Sequence, residues 1–414
     1  MNIGIVTNSY PPNLNGVAIC VKNLELALIA RGLKVFIVTP KVPGVEYPDN
    51  VLPIPSLAAP KIMSKDLRLP ATYNDKKIQN FFSSNGVEII HSHDLIMGGL
   101  DAILIGNKLK IPVVHTYHTY LESYGYFNVP GYRMYIRNYS KFVCETSNAC
   151  IVLSNKIENY LLEIGVKARL ERLPNIYIRK PIDDELKPKA QNFIDHNLLE
   201  SAFNILMFGR VAKEKNIFLA IEKIIPLFAI HPKLRLIIMG DGPLTPELKE
   251  YIIDNNLGNK VLLFGSYNYT DLSVIASVSK FYYNTSISEV LPTTVLEAVG
   301  FGLPLVCIED SAYNYILEHG VNGLSLNEEL MTQVINQLIT NPQSIEPMAI
   351  EAKKSYEKYL SIDYTTQYVN LYQDLINNYK YLALPKKLIL NFQESLEEFT
   401  ELFDLTKFDY WKKS

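Results

Sequence analysis

Cysteine and long apolar runs are both scarce in this chain. Only four cysteines occur in 414 residues, at positions 20, 144, 150 and 307, and none of them has CxxC spacing. Isolated thiols in apolar segments predict a reduced core, and they argue against a disulfide framework or a cysteine metal centre. No run of about 18 apolar residues is present, so the sequence predicts no membrane-spanning helix.

Net charge is also low. The formal charge is −3 and no long Lys/Arg block is present, which argues against a nucleic-acid-binding protein. Hydrophobic residues make up 48% and charged residues 20%, as in an ordinary soluble globular protein. The N-terminus has no basic segment and only a short apolar run, so we predict a strand there and no signal peptide. We therefore expect a cytoplasmic protein that could meet a membrane only from its surface.

Short apolar runs rich in β-branched residues alternate with helical patterns through most of the chain. Near-continuous apolar strands separated by helices predict parallel sheets covered on both faces. We therefore predict an α/β protein with two doubly wound, Rossmann-like domains that face a central cleft. The predicted strands are 3–7, 34–40, 87–93, 112–118, 150–154, 203–209, 234–240, 260–265, 281–285 and 303–308.

A polar stretch without strand pattern, 179–197, is the predicted linker. The expected domains are 1–180, 198–345 and a helical segment, 346–414, that returns toward the first domain. One apolar stripe marks this last segment: Leu388, Phe392, Leu396, Phe399 and Phe403. Packing onto the protein's own body is the expected role of the stripe, and a helix lying on a membrane is the alternative that its basic and aromatic ends keep open.

The most informative motif is a pair of carboxylates, Glu289 and Glu297, eight residues apart. Glu289 follows an apolar strand, and Glu297 lies two turns along the predicted helix 293–299. Pro292 and Thr293 stand at the helix start. Carboxylates so placed can accept hydrogen bonds from sugar hydroxyls, and the surrounding Leu-Pro and Gly-x-Pro are not explained by a surface salt bridge. The motif therefore predicts a nucleotide-sugar site.

Three strand-to-helix junctions could hold a diphosphate or a nucleoside. Gly16 precedes a helix, whose N-terminus favours anions. Arg210 and Lys215 place cations at a strand end, where they could neutralise a diphosphate. The turn formed by Gly240, Asp241 and Gly242 allows a close approach of a base or ribose. Each junction has a plain alternative, a structural turn or a solvated loop.

Four histidines, at 91, 93, 115 and 118, lie on or after two neighbouring predicted strands. No acidic or cysteine cluster completes a zinc set, and Asp-x-Asp is absent, so we expect no metal and no cofactor. His118 is the histidine that we place at the sugar, whereas the other three are expected to be core residues.

Together these motifs resemble the family 4 glycosyltransferases, which are retaining, metal-independent enzymes of the GT-B fold. The resemblance covers nearly the whole chain. It implies that Glu289 binds the donor sugar and Glu297 the ribose, that Arg210 and Lys215 bind the diphosphate, and that Gly16 contacts a phosphate. It also implies a UDP-sugar donor, and a leaving phosphate that can take the acceptor proton.

The segment from His115 to Tyr124, HTYHTYLESY, resembles a run of bacterial 1,2-diacylglycerol 3-glucosyltransferases. That branch implies a hexosyltransferase acting on a membrane glycerolipid, with glucose as the expected sugar. Leu121 replaces the branch's tyrosine, and Val290 replaces the glycine that often follows the first glutamate. A cell-wall or capsular glycan or a protein acceptor, and an inactive partner of another transferase, remain alternatives. The sequence leaves the oligomeric state open.

Aromatic and basic residues interleave in 125–142. Such residues suit the surface of an anionic bilayer, and we expect a peripheral position on the inner face of the cell membrane and a lipid acceptor there. The alternative is a solvated helix whose tyrosines cover the first domain. The residues assigned to this surface are Tyr132, Arg133, Tyr135, Arg137 and Lys141, with further charge from Lys61, Lys65, Arg68, Lys76 and Lys77.

Overall fold

The computed structural model describes residues 1–13, 15–58, 68–70, 75–95, 98–123, 132–179 and 189–382. The chain divides into two compact units. The first contains most of the chain up to Ile176 and resumes at Asp363, and the second runs from Tyr177 to Ile362. Each unit is built on its own parallel sheet, so the two-domain α/β prediction is confirmed.

The first unit has a seven-stranded parallel sheet of order β3-β2-β1-β6-β7-β8-β9 and a two-stranded antiparallel ribbon, β4-β5. Its strands are β1 Asn2–Val6, β2 Lys34–Pro40, β3 Val51–Ile54, β4 Ser56–Ala58, β5 Arg68–Pro70, β6 Ile89–Ser92, β7 Val113–Tyr117, β8 Ala149–Val152 and β9 Leu170–Arg172. Its helices are α1 Gly16–Ala30, α2 Asp75–Ser84, α3 Gly98–Leu109, α4 Tyr132–Thr146, α5 Asn155–Glu163 and, after the return of the chain, α13 Tyr364–Asn377. Strands β6, β7 and β8 are buried at every position, as expected for a sheet covered on both faces.

The second unit has a six-stranded parallel sheet of order β12-β11-β10-β13-β14-β15. Its strands are β10 Phe203–Phe208, β11 Leu234–Met239, β12 Val261–Gly265, β13 Ser279–Asn284, β14 Leu305–Ile308 and β15 Gly323–Leu326. Its helices are α6 Lys189–Asn197, α7 Ile217–Ile230, α8 Thr245–Asp254, α9 Tyr269–Ser277, α10 Thr293–Gly300, α11 Met331–Thr340 and α12 Ile345–Ser361. Its core is an apolar cluster that extends from Ile205 on β10 to Met348 on α12.

All ten predicted strands are present, and the described residues contain five further strands that were not predicted. The additional strands β3, β4, β5, β9 and β15 are only three or four residues long. Strand β3 contains Pro53, which cannot donate to a ladder, and it lies at a sheet edge where this is tolerated. Short edge strands carry too little apolar pattern to be recognised from sequence alone.

The chain passes between the two units at positions that differ slightly from the sequence-based boundaries. The predicted linker 179–197 contains helix α6, whose Ala190 amide donates to Asp271 Oδ1 over 2.9 Å inside the second unit. Helix α12 groups with the second unit, and only α13 groups with the first. The apolar stripe at 388–403 lies outside the described residues. Among the helices that the structure describes, none is long and apolar enough to span a membrane.

Each sheet has one point at which the strand order reverses. In the first unit this point lies between β1 and β6, where Val6 is paired with Ser92. In the second unit it lies between β10 and β13, where Leu206 is paired with Tyr282. Ligands of open α/β sheets bind outside the carboxyl ends of the strands at such points. The residues that follow these four strands are therefore the first place to look for a site.

Candidate active site

A pocket lies at the reversal point of the second unit. The pocket collects three of the residues that the sequence assigned to the donor: Arg210, Lys215 and Glu289. Its remaining lining is Met207, Phe208, Gly209, Ile217, Ile238, Met239, Tyr282, Tyr283, Asn284 and Thr294. Two cations and a carboxylate thus meet at the carboxyl ends of two neighbouring strands.

Lys215 and Glu289 form a direct ion pair in this pocket, with Lys215 Nζ 2.6 Å from Glu289 Oε1. Glu289 is only 7% exposed. Lys215 ends a short 3₁₀ turn and is followed by Asn216 at φ +52°, a left-handed conformation that asparagine tolerates better than most residues. The Thr285 hydroxyl reaches the carbonyl of Lys215 over 3.2 Å and that of Asn216 over 2.9 Å. The loops after β10 and β13 are therefore fastened to each other, which holds the ion pair in place.

Arg210 is held by a carboxylate that the sequence analysis did not single out. Its guanidinium pairs with Glu214, which is 5% exposed, while the arginine side chain itself remains 37% exposed. The backbone carbonyl of Glu214 accepts from the Ser286 hydroxyl over 3.0 Å. A buried carboxylate fixes the arginine in one place, and the side chain stays accessible enough for a charge-assisted contact with a diphosphate. The signal in the sequence was an acid enclosed by cations, at the i+4 position after Arg210.

The turn after β11 depends on its glycines. Gly209 and Gly240 have φ values of +135° and +141°. A Cβ on Gly240 would lie 1.8 Å from the carbonyl oxygen of Gly209, and one on Gly242 would lie 2.2 Å from that of Val211. The Asp241 carboxylate accepts from the Gly242 amide over 2.8 Å and from the hydroxyl of the following threonine over 2.7 Å. Close backbone approach is therefore a demonstrated reason for these glycines, and contact with a nucleoside stays a prediction.

Helix α10 begins at Thr293, one residue after Pro292, as the sequence predicted. The Pro292 carbonyl accepts from the Tyr315 hydroxyl over 2.8 Å, which fastens the helix start. At the next residue, Thr294 Oγ1 lies 3.1 Å from the hydroxyl of Tyr282, and both are pocket residues that the sequence analysis missed. Thr294 could not be distinguished from Thr293 by pattern alone.

Glu297 lies apart from the lining of the Lys215 pocket and is 6% exposed. Its charge acts on a group of tyrosines. The pKa of Tyr269 rises to about 12, first through burial, then through Tyr356 and through Glu297. Burial, followed by the same carboxylate, also raises the pKa values of Tyr177 and Tyr267. The two glutamates therefore have different neighbours: Glu289 is paired with Lys215, whereas Glu297 acts on Tyr177, Tyr267 and Tyr269.

At the reversal point of the first unit, Gly16 opens helix α1. Asn15 caps this helix, and its side chain accepts from the Ala18 amide over 2.9 Å. Gly16 is exposed, and a Cβ placed on it would have no neighbour within 4 Å. Neither backbone conformation nor packing within the described chain demands glycine here. A requirement imposed by an approaching ligand is compatible with this geometry.

The four histidines come together in the same unit. His91 is fully buried and bonded on both sides, with Nδ1 2.7 Å from the Tyr372 hydroxyl and Nε2 2.6 Å from Thr116 Oγ1. Its ring lies 4.0 Å from that of His93, as expected for alternate residues on one strand face. His93 Nδ1 lies 2.8 Å from His118 Nε2, and His115 Nδ1 lies 3.3 Å from a serine hydroxyl on β6.

Burial makes all four histidines poor bases. It lowers the pKa of His118 to about 3, and it also lowers that of His115 to about 3, with His118 as a secondary cause. Burial, followed by the neighbouring histidines, also lowers the pKa values of His91 and His93 well below 6.5. Among the described residues no group of three or more His, Cys, Asp or Glu side chains could hold a metal ion. Metal independence of the reaction stays a prediction.

The aromatic and basic surface needs a correction at Tyr132. This residue was expected to face a membrane, but it is 7% exposed and its hydroxyl donates to the Leu121 carbonyl over 3.1 Å. Tyr135 is partly buried. Arg137 is bonded through two nitrogens to Glu122, at 2.9 and 2.8 Å. Helix α4 is amphipathic, and its tyrosines lie mainly on the side that covers the unit's own core, which is the alternative considered for this segment.

Some of the cations assigned to this surface are exposed. Arg133 is exposed on α4, and Lys76 and Lys77 are exposed on α2. Lys141 is partly buried, with Nζ 4.0 Å from Glu145. Lys61, Lys65 and residues 124–131 lie outside the described residues.

Two family models match the chain in succession. The model described as Glycosyltransferase Family 4 matches residues 14–177, and that described as Glycosyl transferases group 1 matches residues 189–355. The chain is a family 4 glycosyltransferase. The matched ranges coincide closely with the two compact units, so each unit carries one half of the family architecture.

Among curated proteins, this glycosyltransferase is similar to two alpha-monoglucosyldiacylglycerol synthases. It is 26% identical to that of Acholeplasma laidlawii over 393 residues, covering 91% of this chain and 98% of the relative. It is 27% identical to that of Streptococcus pneumoniae over 389 residues, covering 87% and 86%. The phosphatidylinositol N-acetylglucosaminyltransferase gpi3 subunit of Schizosaccharomyces pombe is 22% identical over 364 residues, covering 85% and 76%. The predicted enzyme class, a hexosyltransferase, is confirmed.

Solved structures confirm the GT-B fold of this glycosyltransferase. Sucrose-phosphate synthase from Thermosynechococcus elongatus superposes with a TM-score of 0.72 at 18% identity, covering 91% of this chain and 99% of that one. Anabaena HepE in complex with UDP and glucose superposes with a TM-score of 0.70 at 16% identity, covering 91% and 100%. At these identities the likeness concerns the fold.

Proposed function

We propose that this enzyme transfers a hexose, with glucose as the expected sugar, from a UDP-sugar to a membrane glycerolipid such as diacylglycerol, with retention at the anomeric carbon. The observation that carries the proposal is the pocket in which Arg210, Lys215 and buried Glu289 meet. Two relatives that span most of the chain are named as glucosyldiacylglycerol synthases, which supports the acceptor class.

The chemistry required of the pocket is stabilisation of a departing diphosphate. As the bond from the anomeric carbon to the phosphate oxygen breaks, negative charge grows on the UDP, and fixed cations stabilise it without reorganisation. Arg210 and Lys215 supply this charge. The acceptor hydroxyl attacks from the same face, and its proton passes to the leaving phosphate oxygen, so that free UDP and the glycoside result. No dedicated protein base is required.

In this proposal Lys215 exchanges partners. Without donor its ammonium is held by Glu289 at 2.6 Å, and a bound diphosphate competes for it. Glu289 then has an oxygen available to accept hydrogen bonds from sugar hydroxyls. The arrangement would bring the sugar-binding carboxylate into use only when the diphosphate is in place. His118 is assigned to the same sugar, Gly16 to a phosphate and Glu297 to the ribose, as the family resemblance implies.

The proposed acceptor would be met at a bilayer surface. Exposed Arg133 on α4 and exposed Lys76 and Lys77 on α2 can contact anionic lipid. Co-sedimentation with vesicles should rise with anionic lipid content and fall for the variant carrying Arg133→Glu, Lys76→Glu and Lys77→Glu. Binding that ignores both changes would contradict this peripheral docking.

A panel experiment tests the function itself. The purified protein is incubated with UDP-glucose, UDP-galactose or UDP-N-acetylglucosamine and with vesicles that contain diacylglycerol, and the products are identified by mass spectrometry. A hexosyl-diacylglycerol, formed by the wild type and reduced about 100-fold or more by Glu289→Gln, is expected. The matched control is Glu250→Gln, an exposed carboxylate on α8 of the same unit, which should leave the rate unchanged. Transfer only to water, to a glycan or to protein would overturn the lipid assignment.

A further inference from the structure

His93 is in direct contact with His118 and has no role in the proposed reaction. His93 is 4% exposed, and its Nδ1 lies 2.8 Å from His118 Nε2. The two ring centroids lie 5.1 Å apart and the ring planes are inclined by 26°, so the rings meet edge to edge through these nitrogens. Because both histidines are neutral, the bond between them contains a single hydrogen. Which ring supplies that hydrogen decides which nitrogen of His118 carries a proton.

The surroundings of His93 favour one answer. Its other nitrogen, Nε2, is buried and has no hydrogen-bond partner among the described residues. A buried N–H without an acceptor is rarer in proteins than an acceptor left partly unused. The proton of His93 is therefore best placed on Nδ1, from which it is donated to His118 Nε2. His118 must then carry its own hydrogen on Nδ1, the ring nitrogen that the pair leaves for another partner.

The ring of His93 is itself held in place. The ring of His91 packs against it with centroids 4.0 Å apart. His91 cannot turn without losing bonds at both nitrogens, to Tyr372 on α13 and to Thr116 on β7. The ring of His93, the hydrogen-bond donor to His118, is therefore fixed in orientation before any substrate binds. Residues that hydrogen-bond to the second nitrogen of a functional histidine commonly orient it in this way.

We propose that His93 is a positioning residue: it holds His118 in the Nδ1-protonated tautomer, so that His118 donates a hydrogen bond to a hydroxyl oxygen of the transferred sugar. This inference rests on the proposed function, which assigns His118 to that sugar.

Three variants test the proposal. His93→Leu removes the donor, whereas His93→Asn keeps an amide N–H near the position of Nδ1. His115→Leu is the matched control, because His115 is equally buried on β7 but bonds to Ser92 and not to either member of the pair. We expect His93→Leu to lower kcat about 10- to 100-fold and His93→Asn to restore most of it. His115→Leu should stay within about threefold of the wild type, and the affinity for UDP alone should be the same in all four proteins.

A spectroscopic readout keeps the test independent of activity. Nitrogen-15 NMR of the imidazoles distinguishes protonated from bare ring nitrogens. The wild type should show His118 as a single tautomer with hydrogen on Nδ1, and His93→Leu should show a mixture or the opposite tautomer. Wild-type protein without transferase activity would refute the proposed function, and the NMR result would then decide on the histidine pair alone. An unchanged His118 tautomer in His93→Leu, or equal kcat losses in His93→Leu and His115→Leu, would overturn the inference.

Discussion

Acidification should destabilise the first unit through its buried histidines. A histidine has a pKa near 6.5 in an unfolded chain, whereas burial lowers the pKa values of His115 and His118 to about 3 in the folded protein. Between these pKa values the histidines are therefore protonated in the unfolded state and neutral in the folded state. The stability contributed by the neutral rings is complete above pH 6.5 and is lost progressively as the pH falls toward 3.

The magnitude follows from these values. Between pH 7 and pH 5 each such histidine should cost about 2 kcal/mol of unfolding free energy, so His115 and His118 together should cost about 4 kcal/mol. Burial also lowers the pKa values of His91 and His93 well below 6.5, so both act in the same direction. Asp94 acts in the opposite direction. Burial raises its pKa to about 6, so protonation of Asp94 should restore about 1 kcal/mol over the same range.

Hydrogen exchange of the β6 and β7 amides, measured at pH 7 and pH 5 and corrected for intrinsic exchange rates, reports the opening free energy of this unit alone. The wild type should lose several kcal/mol between the two pH values. The loss in His115→Leu should be smaller by about 2 kcal/mol, because that variant has one fewer histidine whose pKa is lowered by folding. Equal pH-dependent losses in the two proteins would refute the reasoning.

Three further substitutions separate folding from binding. Gly16→Ala should leave the free energy of unfolding within about 1 kcal/mol of the wild type, because the new Cβ meets no neighbour. The same variant should raise the KM for the donor, because the Cβ would hinder a phosphate that approaches there. An unchanged KM would contradict the assignment of Gly16 to a phosphate. Gly240→Ala should destabilise the second unit by about 3 kcal/mol or more in thermal unfolding, because its Cβ would lie 1.8 Å from the Gly209 carbonyl oxygen. A melting temperature equal to that of the wild type would refute this packing. Lys215→Met should lower the free energy of unfolding by about 2 kcal/mol, because it leaves buried Glu289 without its cation. The double variant Lys215→Met, Glu289→Gln should recover stability but not activity. If the stability losses of the two single variants were fully additive, Lys215 and Glu289 would not be coupled.

The sequence predicted the architecture because the apolar pattern that identifies a buried parallel strand lies within the residues of that strand. Strands buried on both faces must be apolar at nearly every position, as β7 and β8 are, and that pattern needs no knowledge of partners. Helix α10 was placed to within one residue at its end, because Pro292 marks its start and Gly302 follows its last turn.

The contacts within the site were less predictable, because they join residues distant in the chain. Lys215 and Glu289 are 74 positions apart, and nothing in either segment indicates that they form an ion pair. The burial of Tyr132 depends on which face of α4 meets the core, and a helix with tyrosines and cations on several faces leaves that choice open. The spacing of His91 and His93 placed them on one face, but the bond from His93 to His118 required the neighbouring strand.

The most direct test of the account compares Glu289→Gln with Glu250→Gln in one assay. UDP-glucose and diacylglycerol-containing vesicles are the substrates, and the glycolipid formed is measured by mass spectrometry together with the anomeric configuration by proton NMR. We expect an α-linked glucosyl-diacylglycerol at the wild-type rate from Glu250→Gln and at least about 100-fold less from Glu289→Gln. Equal rates from the two variants would contradict the claim that the Arg210, Lys215 and Glu289 pocket carries the transfer.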